Sequence, residues 1–216
     1  MTEIDGPRAA PASGGAMKQL VILAHGYGAD GEDLIGLAPH LAKLLPDAAF
    51  VAPNAPEPCA MSAFGYQWWG IGSFSPDERW AGVNKAAPVL DDFISRELER
   101  SGLNESQLAL VGFSQGTMMA LHVGLRRRHP LAGIVGFSGG LVGPDHLAGE
   151  IRNHPPVLMV HGDADEMVPL QSMYDAVHAL QAVGVTVDHH VSTGVGHGIS
   201  PEGLALACKF LGRIFA

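Results

Sequence analysis

"QLALVGFSQGTMMALHVGLRRR", residues 107–128, decides the fold. Its first half is an apolar run that stops at a glycine, which predicts a strand buried on both faces. From Thr117 to Arg128 the apolar positions follow helical spacing, which predicts a helix. Between the two stands GFSQG, Gly112–Gly116, the G-x-S-x-G pattern of a serine on a sharp turn from strand to helix. A near twin, GFSGG, runs from Gly136 to Gly140, and in a chain with 28 glycines such a pattern also arises by chance. The flanks therefore decide between the serines. Ser114 has a strand before it and a helix after it. Ser138 has the strand LAGIVGF but is followed by GGLVGPDH, whose glycines and proline cannot start a helix at once. Ser114 is the candidate nucleophile, and Ser138 is expected to be a turn residue at the end of a neighbouring strand.

The same alternation of apolar run and helical pattern extends in both directions. KQLVILAHGYGADGEDL predicts a strand, a glycine-rich loop and a helix near Glu32, and AAFVAPN predicts a second strand. Trp80–Arg100 predicts a long amphipathic helix. PPVLMVHG and VTVDHHV predict further strands, with helices at about Leu170–Ala182 and Pro201–Ile214. The reading is one α/β domain over residues 18–216, a mostly parallel sheet with helices on both faces. Residues 1–17, rich in Gly, Ala, Pro and Ser, are expected to form a flexible tail with neither the basic start nor the apolar run of a signal or anchor. Residues 53–82 hold all three tryptophans with Phe64, Tyr66 and Phe74 and show no clear period. They predict a long loop, and loops of that length in a compact domain tend to be functional.

Composition narrows the function. The chain has 216 residues, 47% hydrophobic and 16% charged, with a formal net charge of -9. That acidic balance excludes a field for nucleic acid or anionic lipid and, with no apolar stretch of spanning length, stable membrane insertion. The basic run Arg126-Arg127-Arg128 closes a predicted helix, where cations complement the dipole. Two cysteines, Cys59 and Cys208, are too few for a disulfide framework and favour a reducing, cytoplasmic setting.

A nucleophilic serine needs a base oriented by a third group, and on this kind of sheet the order is serine, acid, histidine. The strand VLMVHG is followed by Asp163 and Asp165, either of which could serve. Of the 11 histidines, His178 falls on a helix, and the adjacent His189 and His190 alternate across a strand, so they cannot converge on one metal or one serine. Their spacing also lacks the H-E-x-x-H pattern. His197, in the loop STGVGHGIS between the last strand and the last helix, is the candidate base. Two backbone N–H groups are needed for an oxyanion. Gln115, the residue after the nucleophile, and Tyr27, in the early HGYG loop, are the candidates. His25 is assigned to bracing that loop.

Taken together, LAHGYGADGEDL, APNAP, GFSQG, HGDADEMVP and GVGHGIS resemble, in content and order, the α/β-hydrolases, and within them the small carboxylesterases that include the acyl-protein thioesterases. The likeness covers nearly all of the chain after Met17. In that family's G-D-x-D-x-x-V-P the second aspartate serves the triad, so the resemblance implies Asp165. It also implies ester or thioester hydrolysis without metal or organic cofactor. Tyr27 stands where relatives often carry leucine, which keeps the backbone donor but changes what fills the pocket beside it. The gap from Phe137 to Val157 is too short for a cap domain. The aromatic segment is then the remaining cover, with Trp68, Trp69, Ile71 and Phe74 as expected substrate-lining residues, suited to acyl chains of short to medium length. Two rival classes are a catalytically inactive binding protein on the same fold and a serine peptidase. The first predicts no turnover of any ester, the second cleavage of peptides. The sequence leaves oligomeric state open.

Overall fold

The computed structural model of the protein describes residues 2–73 and 75–216. In chain order the elements begin with β1 (Arg8–Ala9), β2 (Gln19–Ala24), α1 (Gly31–Ile35), α2 (Ala38–Leu41) and β3 (Ala48–Val51). A small ribbon of β4 (Glu57–Pro58) and β5 (Tyr66–Gln67) precedes α3 (Pro76–Ser101), β6 (Leu108–Phe113) and α4 (Gln115–Gly124). The chain continues through β7 (Gly133–Phe137), α5 (Pro144–Glu150), β8 (Val157–Gly162), α6 (Leu170–Ala182), β9 (Val187–Ser192) and α7 (Pro201–Ile214). Among the described residues, seven strands form one sheet in the order β1-β3-β2-β6-β7-β8-β9. Every pairing in it is parallel except β1 with β3.

The period of two along each strand divides the core. Leu20, Ile22, Leu108, Leu110, Ile134, Val157 and Met159 face one way, against α3, α4, α5 and α6. Val21, Leu23, Ala109, Val111, Val135, Leu158 and Val160 face the other way, against α1, α2 and α7. Both faces being covered explains why the central strands read as unbroken apolar runs. Each fully buried Leu or Ile contributes about 1.5–3 kcal/mol relative to exposure. The strand order reverses between β2 and β6, with β3 on one side of β2 and the later strands on the other. The loops leaving the C-terminal ends there meet at the usual ligand-binding place of an open α/β sheet. No helix is long and apolar enough to cross a membrane among the described residues.

Three expectations need correction. Residues 4–9 are not a free tail: Arg8 and Ala9 pair with Val51 and Phe50, Ile4 is buried, and Arg8 makes a 2.7 Å ion pair with Glu97 on α3. The otherwise open edge of β3 supplies the backbone partners that composition could not foresee. The aromatic stretch is not one irregular loop, because it folds into the β4–β5 ribbon and the first turns of α3. Ser75 caps that helix by accepting from the Glu78 N–H, with Pro76 at its first position. The arginine run lies beyond α4, where Arg126 donates at 3.1 Å to the His122 carbonyl and pairs at 2.8 Å with Glu150. It therefore tethers a helix end to a neighbouring helix as well as complementing the dipole.

Candidate active site

Ser114 sits between β6 and α4 with φ 54° and ψ -116°, a conformation that strains a non-glycine residue by about 1–3 kcal/mol. The turn is tight enough that its glycines are obligatory. A Cβ on Gly116 would lie 1.9 Å from the Ala24 carbonyl oxygen, and one on Gly112 would lie 2.4 Å from that of Gly116. The Ser114 N–H donates to the Phe137 carbonyl at 2.9 Å, which fixes the turn to the end of β7.

His197 lies in the loop between β9 and α7, and its Nδ1 is 2.8 Å from Asp165 Oδ2. A carboxylate can only accept, so Nδ1 carries the hydrogen and Nε2 keeps its lone pair. The other Asp165 oxygen accepts the N–H groups of Met167 and Val168, both at 2.9 Å. Burial alone would raise the Asp165 pKa, but the bonds from Val168, His197 and Met167 outweigh it and hold the carboxyl below its ordinary value. Asp163 does a different job: its carboxylate accepts the Gly194 N–H at 2.6 Å, holding the start of the histidine loop. The His197 ring packs on Phe113, the residue before Ser114, at 4.9 Å between centroids. The Ser114 hydroxyl itself has no hydrogen-bond partner among the described residues, and serine–histidine contacts are often long before substrate tightens them.

The early loop meets the same edge. The N–H groups of Tyr27 and Gln115 take part in no hydrogen bond among the described residues. Fully buried His25 braces the loop: its Nε2 accepts the Ala55 N–H at 2.9 Å and its Nδ1 donates to the Gly26 carbonyl at 2.7 Å. Only the neutral ring can make both bonds, and burial lowers its pKa accordingly. The ribbon is joined to this loop, since Gly28 N donates to the Tyr66 carbonyl and Tyr66 N to that of Ala29, at 2.9 and 2.8 Å.

The expected lining fares differently. Trp68 and Trp69 are only 1% and 4% exposed and belong to the core, so neither lines an open cleft. Trp68 Nε1 donates to the His25 carbonyl at 3.0 Å, and Trp69 fills the space left by Gly82, where a Cβ would sit 2.3 Å from its ring. Two large amphipathic rings were more valuable as a wedge under the loop than at its surface. Ile71 is partly exposed, and Phe74 lies outside the described residues. Met61 and Phe64, at the ribbon tip, are 84% and 90% exposed.

Sequence reasoning missed three contributors. The Gln115 side chain accepts from the Trp68 N–H and donates to the Trp69 carbonyl, both at 2.9 Å, clamping the aromatic segment to the serine turn. Buried His161 donates from Nε2 to the Val168 carbonyl at 2.8 Å and lies 3.2 Å from Asp165 Oδ2, so it supports the acid's turn. The third is Ser138. The partners of Gln115 and Ser138 are distant in sequence, which no spacing rule announces, whereas His161 stands four residues before Asp165 and was within reach of a local reading.

Comparisons with known proteins give the family and the fold. Residues 9–214 match the phospholipase/carboxylesterase family. The chain is 28% identical to acyl-protein thioesterase 1 homolog 1 of Dictyostelium discoideum over 201 residues, covering 89% of each chain. It is 27% identical to the esterase YpfH of Escherichia coli, covering 90% of this chain and 82% of that one. Among solved structures, esterase PE8 superposes with a TM-score of 0.95 at 44% identity, covering 98% of this chain and 99% of that one. Arabidopsis thaliana SOBER1, 22% identical, shares the fold with a TM-score of 0.76 over 92% of this chain and 99% of that one. The protein is an α/β-hydrolase and belongs to the phospholipase/carboxylesterase family of enzymes.

Proposed function

We propose that this protein is a serine hydrolase that cleaves carboxylic esters or thioesters of short to medium acyl chains, with Ser114 as nucleophile, His197 as base and Asp165 as its orienting acid. The observation that carries this reading is the 2.8 Å Nδ1–carboxylate bond of His197 on the same sheet edge as the strained Ser114 turn. With its Nδ1 hydrogen committed to Asp165, the ring offers Nε2 to the serine proton. Ser114 Oγ attacks the carbonyl carbon while His197 Nε2 takes the hydroxyl proton, and the resulting oxyanion is held by the N–H groups of Tyr27 and Gln115. The intermediate collapses by breaking the C–O or C–S bond, and the proton on Nε2 goes to the leaving alcohol or thiol. Water then attacks the acyl-serine, giving its proton to Nε2. The second collapse returns that proton to Ser114 and releases the acid.

The acyl range rests on the cover of the site. Only the seven-residue α5 and its flanking loops lie between β7 and β8, leaving no room for a cap. Exposed apolar surface on the ribbon that pairs with the Tyr27 loop comes from Met61 and Phe64, and Ile71 beyond the ribbon is partly exposed. Two free, buried cysteines fit a cytoplasmic setting. The test is a matched series of acyl esters and thioesters varied in chain length, with kcat/KM measured for the natural protein and Ser114→Ala. The reading expects a maximum at short to medium chains and none for the variant. Turnover of peptides alone, or of nothing in the series, overturns it.

A further inference from the structure

The second G-x-S-x-G motif, GFSGG at 136–140, is left unused by the nucleophile assignment. Among the described residues, Ser114 and Ser138 are the non-glycine positions with positive φ, 54° and 47°. Ser138 is fully buried. A glycine would hold this turn without strain, so the side chain at position 138 has a reason to be there. Its hydroxyl donates to the carbonyl of Gly198 at 3.3 Å, and Gly198 is the residue after His197. The carbonyl of Phe137, one residue earlier, receives both the Ser114 N–H at 2.9 Å and the Thr117 hydroxyl at 2.8 Å. Two consecutive residues therefore hold the serine turn on one side and the histidine loop on the other.

The rest of that loop is fastened from the opposite flank. Asp163 takes the Gly194 N–H, and the Ala164 N–H donates to the Val195 carbonyl at 3.0 Å. Ser192 and Ser200 close its base through a 2.9 Å hydroxyl pair. Between Val195 and Ser200, the Gly198 carbonyl is the loop's hydrogen-bonded tie toward the nucleophile side among the described residues. We infer that Ser138 is a positioning residue, which sets the distance of His197 from Ser114 through the Gly198 carbonyl. The inference rests on the triad reading above and deepens it.

The experiment compares Ser138→Gly, Ser138→Cys and Ser114→Ala in the full-length protein. It reads kcat, KM, the rate of fluorophosphonate labelling and thermal midpoint. Ser138→Gly removes the hydroxyl and also the backbone strain, so its Tm should hold within a few degrees or rise. A base displaced by a fraction of an ångström should still lower kcat and the labelling rate together, by about 10- to 100-fold, with KM little changed. Ser138→Cys, with its weak donor, should fall between, and serves as the folded comparison should the glycine variant fail to fold. If kcat and Tm fall in step in both variants, or if kcat stays within about twofold of the natural protein, Ser138 is not a positioning residue. In the latter case an inactive Ser114→Ala leaves the triad reading intact, whereas an active Ser114→Ala overturns the reading and the inference together.

Discussion

The two turns that end β6 and β7 carry nearly the same five letters and the same rare backbone sign, yet they do opposite things. The first leaves its serine at the C-terminal edge of the sheet because α4 begins at the next residue and its glycines let that helix start against β2. The second turns its serine inward to full burial, because Gly139 and Gly136 are pressed against α4 instead. A Cβ on either would lie 2.5 Å from an atom of the Thr117 side chain. The second motif is shaped by the first. In the first, Gly112 serves the turn's own geometry and Gly116 the approach of β2, and in the second the glycines make room for α4, which shows that a motif is defined by what packs on it as much as by its letters.

The strongest test of that contrast is the nucleophile. Ser114→Ala should lower kcat by about 10⁴-fold or more without loss of fold, and a fluorophosphonate probe should label Ser114 and leave Ser138 unmodified in the mass spectrum of a tryptic digest. Label on Ser138 would reverse the roles of the two turns.

The next largest effect concerns the aspartates, which also divide between the reacting group and the scaffold. Asp165→Asn should cost about 10³- to 10⁴-fold in kcat, because the ring loses the acceptor that fixes its tautomer. Asp163→Asn keeps an acceptor for the Gly194 N–H and should cost about tenfold at most. Kinetics of both variants at matched stability check the ordering, and equal losses would erase the distinction.

Packing of the second motif against the first predicts a smaller effect on stability. Gly139→Ala places a methyl group 2.5 Å from Thr117 Cβ and 2.8 Å from the Ser114 carbonyl oxygen. Urea unfolding should show a loss of about 1–3 kcal/mol. Gly149→Ala, with no atom within 4 Å of the added carbon, should lose nothing. An unaffected Gly139→Ala protein would mean that the two motifs do not interlock.

Acid stability adds a further and smaller effect on the helix that leaves the first turn. His122 on α4 is buried, and burial first, then the nearby Arg126 charge, lowers its pKa to about 4 against an attraction from Glu150. The unfolded chain therefore takes up this proton first. Stability is complete above about pH 6.5 and falls as pH drops toward about 4, by about 1–3 kcal/mol in total. Asp165, whose pKa is lowered, adds its own loss only below the ordinary carboxylate range. Urea titrations at pH 7 and pH 5 should show the decline in the natural protein and a shallower one in His122→Phe. At the bottom of the scale, EDTA should leave kcat unchanged. Loss of activity in chelator and its return with a divalent ion would require a metal role that the triad reading does not contain.

Much of this was legible in the chain because it is local. An apolar run, a glycine stop and a helical period identify β6, the turn at Ser114 and α4. The same logic located His197 in a loop and placed α6 and α7, while the helix read over Thr117–Arg128 starts at Gln115 and ends at Gly124. The choice of Asp165 over Asp163 came from resemblance, since both lie in one turn and nothing in their spacing separates them. Tertiary structure decided what depends on partners far away in sequence. Trp68 and Trp69 read as lining until His25, Gly82 and Gln115 were there to hold them in the core. Ile4 and Arg8 read as tail until the edge of β3 and Glu97 were there to hold them. Ser138 read as a plain turn residue because its partner, the Gly198 carbonyl, is sixty residues away. Periodicity and turn chemistry are set by neighbours along the chain and survive in the sequence. Burial, hydrogen-bond partnership and the aim of a side chain are set by neighbours in space, and exist only once the sheet has brought its loops to one edge.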